Sequence, residues 1–286
     1  MKKLLILSGK GGTGKTTAAA AFIQFAQARA IADCDVDAPN LHIVTPVKTE
    51  PERFVFAGSD KARIDTGACV GCGLCAQHCR FDAIEERDGV YRIRETACEG
   101  CGVCAYVCPV KAVTLTEDIA GEQFLYRNGA VFSTAMLKMG RGNSGKLVSD
   151  VKLAMTNAAP NAELAIIDGS PGIGCPVISS ISGVDLVLIV AEPSQAGRSD
   201  LERLFKTIQI FRTKAAVCVN KWDASPEHTA AIEQFCLEHQ IPFVGRIPYD
   251  KHASAAINRG MSLADVDCPA RDALRHIFNQ TGKLLG

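Results

Sequence analysis

The sequence predicts a doubly wound, mostly parallel α/β fold interrupted by a small cysteine-rich α+β insert. Three observations carry this reading. A short apolar run, Leu4–Leu7, leads into a glycine-rich loop and then into an alanine-rich segment, Ala18–Ala30. Nearly unbroken apolar strands alternate with amphipathic helical stretches in the second half, as in a sheet covered on both faces. Between these parts, from about 62 to 118, the composition turns abruptly to Cys and Gly and the α/β periodicity is lost. The predicted divisions are therefore 1–61, an insert at 62–118, and a resumed α/β region at 119–286.

In order, residues 2–8 read as a buried strand, 15–29 as a helix, and 30–34 as a second strand ending in Asp33-Cys34-Asp35-Val36-Asp37. The stretch 41–60 is hard to read, apart from Arg53-Phe54-Val55-Phe56, which suits a strand. Residues 122–134 alternate as a strand pair turning at Asn128-Gly129. A helix is expected over 146–155 and a strand over 164–167, leading into Asp168-Gly169-Ser170-Pro171-Gly172. Strands follow at 185–190, 215–219 and 243–245, with helices at 199–211, 226–239 and 269–278.

The totals restrict function. Lys+Arg and Asp+Glu both number 31, so the formal net charge is zero, and neither nucleic acid nor an anionic membrane is an expected partner. Hydrophobic residues make up 47% and charged residues 22%, as in an ordinary globular protein. No apolar run approaches the roughly 20 residues of a membrane span. Met1-Lys2-Lys3-Leu4-Leu5-Ile6-Leu7 imitates the start of a signal peptide, but its apolar part is short and meets the glycine loop directly. A cytoplasmic location is expected.

Residues 9–17, Gly-Lys-Gly-Gly-Thr-Gly-Lys-Thr-Thr, have the pattern of a phosphate-binding loop. In such a loop Gly11, Gly12, Thr13, Gly14 and Thr17 bring backbone N–H groups to phosphate oxygens at a helix N-terminus. Lys15 reaches the β- and γ-phosphates, and the Thr16 hydroxyl ligates Mg²⁺. Asp168, at a strand end, is placed to help hold that ion. Asp35 is a candidate to orient or activate the attacking water, with Asp33 and Asp37 competing for the role. Asn220 either meets a base edge or is an ordinary turn asparagine.

Gly9-Lys10-Gly11-Gly12-Thr13-Gly14-Lys15-Thr16 resembles the deviant Walker A motif of the MinD/ParA/Mrp ATPases, a group related to the nitrogenase iron protein. The early lysine, Lys10, distinguishes that motif, and the resemblance implies that it crosses a dimer interface to a partner's nucleotide. Two chains, identical or related, would then close face to face over ATP and open on hydrolysis to ADP. Asp35–Leu41 resembles switch I, with Asp35 at the catalytic position beside Lys10 and Lys15. Asp168–Gly172 resembles switch II. Asn220 matches an adenine-contacting asparagine, and Ile247-Pro248-Tyr249-Asp250 resembles a second base-contacting loop, which adds Pro248 and Asp250 to the nucleotide site. The resemblance covers about 1–60 and 120–270.

Eight of the thirteen cysteines form two runs, Cys69-x2-Cys72-x2-Cys75-x3-Cys79 and Cys98-x2-Cys101-x2-Cys104-x3-Cys108-Pro109. This is the ligand spacing of a bacterial two-cluster ferredoxin, in which the fourth cysteine of each run serves the other cluster. One [4Fe-4S] cluster is accordingly assigned to Cys69, Cys72, Cys75 and Cys108. The second falls to Cys79, Cys98, Cys101 and Cys104. Zinc sites use paired cysteines with longer gaps and fit poorly. Arg80 stands where proline is usual after the first run, without removing a ligand. Gly71, Gly73, Gly100 and Gly102 would let backbone N–H groups approach sulfur.

Cys34, Cys218, Cys236 and Cys268 read as packing residues. Cys175, just past switch II, stands in the register where the nitrogenase iron protein has a cluster ligand, or it is a buried cysteine at a helix start. Leu274, Ile277 and Phe278 read as core. Trp222 either packs near the base or closes the sheet edge.

The combination resembles MinD-superfamily ATPases carrying an inserted ferredoxin domain. Three functions are expected of such a chain. The leading one is ATP-gated electron transfer to a redox partner. The others are an Fe–S carrier serving an acceptor protein, and a MinD-like positional organiser.

Overall fold

The computed structural model describes residues 1–45 and 49–286; residues 46–48, within the hard-to-read stretch, lie outside the described residues. The strands are β1 (Lys2–Leu7), β2 (Ala30–Asp33), β3 (Glu52–Ala57), β4 (Lys61–Ile64), β5 (Ile84–Arg87), β6 (Val90–Ile93), β7 (Val113–Thr116), β8 (Ile119–Asn128), β9 (Ala130–Leu137), β10 (Leu164–Asp168), β11 (Leu186–Ala191), β12 (Lys214–Asn220) and β13 (Phe243–Ile247). The helices are α1 (Lys15–Ala26), α2 (Leu74–Gln77), α3 (Val103–Val107), α4 (Ser144–Ala158), α5 (Cys175–Ile181), α6 (Gln195–Ile210), α7 (Pro226–Glu238), α8 (Lys251–Asn258) and α9 (Pro269–Leu285). The chain divides into two compact units, one of 1–53, 123–136 and 144–286, the other of 54–122 and 137–143.

The large sheet has the order β13-β12-β11-β1-β10-β2-β9-β8-β3, and the strands from β13 to β9 run parallel. β2, β11 and β1 from Leu4 onward are buried because Leu, Ile, Val and Ala fill both faces, as parallel sheets require. Their carboxyl ends lie along one edge, where a doubly wound sheet gathers its ligand loops. Register matters there: Asp168 stands opposite Asp33 in the β10–β2 pair, so two carboxylates emerge side by side.

α1 packs Ala18, Ala19, Ala21 and Phe22 into the core, and their small side chains let the helix approach the sheet closely. α9 continues to Leu285, past the expected end at Phe278, because Thr281, Leu284 and Leu285 prolong its apolar stripe. Leu274 and Ile277 are buried, and Phe278 meets Phe22 edge-on at 5.1 Å. α5 and α8 are additional to the helices read from sequence; both are short and follow loops whose Gly and Pro content masks them.

The cysteine-rich unit is built from two similar halves. Each cysteine of the first run has its counterpart 29 residues later, Cys69 with Cys98 through Cys79 with Cys108. The halves interleave: β4 pairs antiparallel with β7, and β5 with β6. That crossing has a direct consequence. β4 precedes Cys69 and β7 follows Cys108, so their pairing brings the end of the second run to the start of the first. The β5–β6 pair likewise brings Cys79 to Cys98. The buried core is small, consisting of Ala62, Cys75, Ala83, Cys98, Cys104 and Val113, with isoleucines 64, 84 and 93 packed on it.

Candidate functional site

The loop after β1 turns on positive-φ glycines, Gly12 at 78° and Gly14 at 92°, conformations that side chains with a Cβ resist. Gly14 is also the α1 N-cap, and a Cβ there would strike the Asn220 side-chain nitrogen. Asn220, at the end of β12, donates from Nδ2 to the Thr13 carbonyl at 2.7 Å, tying the loop to the next sheet edge. Its Oδ1 accepts from the Lys221 backbone N–H at 2.9 Å.

Lys15 is buried, and its Nζ lies 2.7 Å from Asp168 Oδ1. Burial disfavours the ammonium, but Asp168, with Asp35 and Asp33 behind it, more than compensates and raises its pKa. Lys15 Nζ also lies 3.4 Å from the Thr16 hydroxyl. The other Asp168 oxygen, Oδ2, is buried without a hydrogen-bond partner, as is the Thr13 hydroxyl. Orphaned acceptors of this kind are costly unless a cation, water or ligand meets them.

Asp33 is fully buried and organises the loop that follows it. Its Oδ1 accepts from the Asp35 N–H at 3.0 Å, and its Oδ2 from Asn40 and Leu41 at 3.1 and 3.0 Å. Burial and the neighbouring Asp168 carboxylate push it up to about 7 against those donors. Asp33 is thus committed to backbone, Asp37 is exposed, and Asp35 is left half-buried facing the loop. Burial chiefly raises the Asp35 pKa, opposed by Lys15, which favours a role as proton acceptor.

A cavity of about 730 Å³ joins these groups, lined by the glycine loop, Asp35, Asp37, Ser170 and the α8–α9 connection at Met261–Leu263. A second of about 190 Å³ is walled by Gly14, Asn220, Pro248, Tyr249, Asp250 and Ala253. The first carries backbone and hydroxyl donors suited to phosphates, and the second sets apolar Pro248 and Ala253 beside polar Asn220 and Asp250. Asp250 contributes backbone organisation: its carboxylate accepts from the His252 and Ala270 N–H groups, which lower its pKa against the cost of burial. Trp222 stands outside both cavities and packs under the Arg246 guanidinium, 5.4 Å from the ring centre.

Lys10 forms an ion pair with Glu192 at 2.5 Å, and both side chains are partly exposed. Cys175 is the first residue of α5 and is exposed, whereas the buried alternative placed it in the core. The packing cysteines 34, 218, 236 and 268 are all buried.

Two residues given no individual role in the sequence reading complete the switch region. The Ser170 hydroxyl donates to the Cys34 carbonyl at 2.5 Å, joining the loop after β10 to the loop after β2. Lys152 donates to the carbonyls of Ser179, Ser180 and Ser182, capping the end of α5, and burial lowers its pKa to about 8. Its signal was a lysine on the apolar face formed by Leu147, Val148, Val151 and Met155.

In the cysteine-rich unit, one small cavity is ringed by Cys69, Cys72, Cys75 and Cys108, the other by Cys79, Cys98, Cys101 and Cys104. Among the described residues no three of His, Cys, Asp or Glu converge on a point that would hold a single ion. Each set of four instead lines one small cavity. The Ala83 and Ala112 N–H groups point at Cys79 and Cys108 Sγ, at 3.4 and 3.2 Å. Gly71, Gly73, Gly100 and Gly102 all have positive φ, which turns each cysteine loop back on itself.

Residues 4–263 match the family model of the CobQ/CobB/MinD/ParA nucleotide binding domain. An uncharacterised protein of Methanocaldococcus jannaschii is 33% identical over 290 residues, covering 97% of this chain and 95% of that one. An uncharacterised ATP-binding protein of the same organism is 22% identical over 289 residues, covering 99% and 87%. Among solved structures, the cell division ATPase MinD of Pyrococcus furiosus superposes with a TM-score of 0.59 at 15% identity, covering 99% of both chains. The septum site-determining protein MinD of Pyrococcus horikoshii, complexed with Mg-ADP, gives 0.58 at 15% identity, covering 100% of this chain and 97% of that one. At such identities the likeness is one of fold.

Proposed function

The chain belongs to the CobQ/CobB/MinD/ParA nucleotide-binding family of P-loop ATPases, and we propose that its ATP cycle controls electron transfer through two [4Fe-4S] clusters held by the cysteine-rich unit. The observation that carries the redox half is the partition of eight cysteines into two rings of four, each taking three from one run and one from the other. A cubane presents four separate corners, so its thiolates stand apart around a volume, whereas a lone zinc ion draws its ligands to one point. The residues therefore fit the clusters. When bound, such clusters supply one-electron redox chemistry.

In the ATPase half, Lys15 and the Gly11–Thr17 backbone bind the phosphates, and Thr16 and the orphaned Asp168 oxygen suit Mg²⁺ and its water shell. ATP binding would draw Lys15 from Asp168 toward phosphate, leaving that carboxylate for the metal shell. Asp35, its basicity raised by burial, orients the attacking water and takes its proton. Lys10 exchanges Glu192 for the nucleotide of a second chain, closing a dimer, and hydrolysis opens it. Eight cluster-ligating cysteines and five further free ones suit a reducing, cytoplasmic setting and a redox partner protein.

Anaerobic EPR of the reduced protein with and without ATP, run beside an apo-acceptor transfer assay, tests this reading. ATP should change the spectrum or potential while the iron stays bound. Unchanged spectra with iron passing to the acceptor would establish a carrier instead. The likeness in fold to MinD favours a second reading, a nucleotide-dependent positional organiser. It requires surface or filament binding that survives removal of the cysteine-rich unit.

A further inference from the structure

Lys61 opens β4, is only 7% exposed, and donates to the Cys98 carbonyl. Among the described residues no carboxylate lies within ion-pairing distance of it. A buried ammonium with no counter-charge is costly, and folds retain one where an anionic group meets it. The group beside it here is the ring of Cys79, Cys98, Cys101 and Cys104, anionic once four thiolates are ligated.

The two halves differ at this point. A Cβ on Gly100 would meet the Asp60 carbonyl, and a Cβ on Gly71 would meet the Gly89 carbonyl, so the start of β6 stands to the first ring as the start of β4 stands to the second. In the 29-residue repeat the counterpart of Lys61 is Val90, and the counterpart of Cys98 is Cys69. The Cys69 ring therefore has a half-buried valine where the Cys98 ring has a buried cation. Exposed Arg80 and Glu99 sit beside the Cys98 ring with opposite signs, and solvent screens both. Asp60, whose counterpart is Gly89, is likewise exposed, so Lys61 is left as the one buried Lys, Arg, Asp or Glu among the described residues of 54–122.

We propose that Lys61 makes the cluster of Cys79, Cys98, Cys101 and Cys104 the higher-potential one, so that the first electron taken up resides there. This rests on the two-cluster reading above. Adding an electron makes a cluster more negative, and a buried cation nearby favours that reduced state.

The test is an EPR-monitored potentiometric titration of the whole iron-loaded chain, reduced stepwise with dithionite. Two one-electron steps are expected. Lys61→Met should lower the upper step by at least tenfold in its reduction equilibrium, about 59 mV for one electron, and leave the lower step in place. Lys61→Arg should hold both near wild type. Where Lys61→Met fails to load iron, Val90→Lys supplies the converse, raising the lower step and narrowing the gap. The inference is overturned if an iron-replete Lys61→Met chain shifts neither step or only the lower one, or if Val90→Lys leaves the gap unchanged. A wild-type chain without iron and sulfide defeats the two-cluster reading itself, an outcome separate from a charge with no effect.

Discussion

The ATPase unit and the cysteine-rich unit build their sites in opposite ways. The first buries long apolar strands and the alanine face of α1, and then hangs its phosphate loop on the sheet edge. Its core cluster is assembled without the phosphate-loop residues. The second has one buried core cluster of six residues, three of them cysteines of the two rings. A core so small rarely sustains a domain without a staple or a metal. In the first unit the site is an addition to the fold, and in the second the site is much of the fold.

The comparison is broken most severely by removing iron. Chelation under reducing conditions should abolish protease protection across 54–122 while the ATPase unit still binds nucleotide, read by limited proteolysis with mass spectrometry. Equal protection of both units after chelation would show that the cysteine-rich unit folds without its ligands.

Lys15→Ala works from the other side. Loss of the buried ammonium should weaken ATP binding about 100-fold, or about 2.7 kcal/mol, as measured by calorimetry. Iron content should not change. A variant that lost iron as well as nucleotide would mean that the two units are not separable in this way.

The pH dependence sharpens the contrast, because the carboxylates whose pKa burial raises, Asp33 and Asp35, lie in the ATPase unit. Unfolded Asp33 ionises near pH 4, whereas the folded chain holds its proton up to about 7. The contribution of this group is therefore full below pH 4 and is lost as pH rises to about 7. Nucleotide-free stability should fall by about 4 kcal/mol over that window, measured by urea unfolding, with Asp33→Asn flattening the slope. The smallest effect is expected of Glu192→Gln, which frees Lys10 from a partly exposed pair. Such pairs contribute up to about 1 kcal/mol, so ATP-dependent dimerisation should tighten no more than about fivefold in analytical ultracentrifugation.

Much of this architecture is legible in the residues. The apolar runs of β1, β10, β11 and β12 and the glycine loop read directly, because burial on both faces leaves few alternatives. The division of the eight cysteines read from their spacing matches the lining of the two small cavities, three of each four coming from one tight loop. Tertiary context hid the rest. Nothing local marks Asp33 as the organiser of its loop rather than a rival to Asp35; that follows from its register opposite Asp168. Lys152 and Glu192 act through partners distant in sequence. Asp250 has the right position for a base contact, yet its oxygens are spent on the N–H groups of His252 and Ala270.

The claim on which the account depends is that the two thiol rings hold cubane clusters. Iron, zinc and acid-labile sulfide, quantified per chain after anaerobic purification, test it most directly. The account predicts about eight irons and about eight sulfides, with no stoichiometric zinc. A folded cysteine-rich unit carrying zinc, or carrying neither iron nor sulfide, would contradict it.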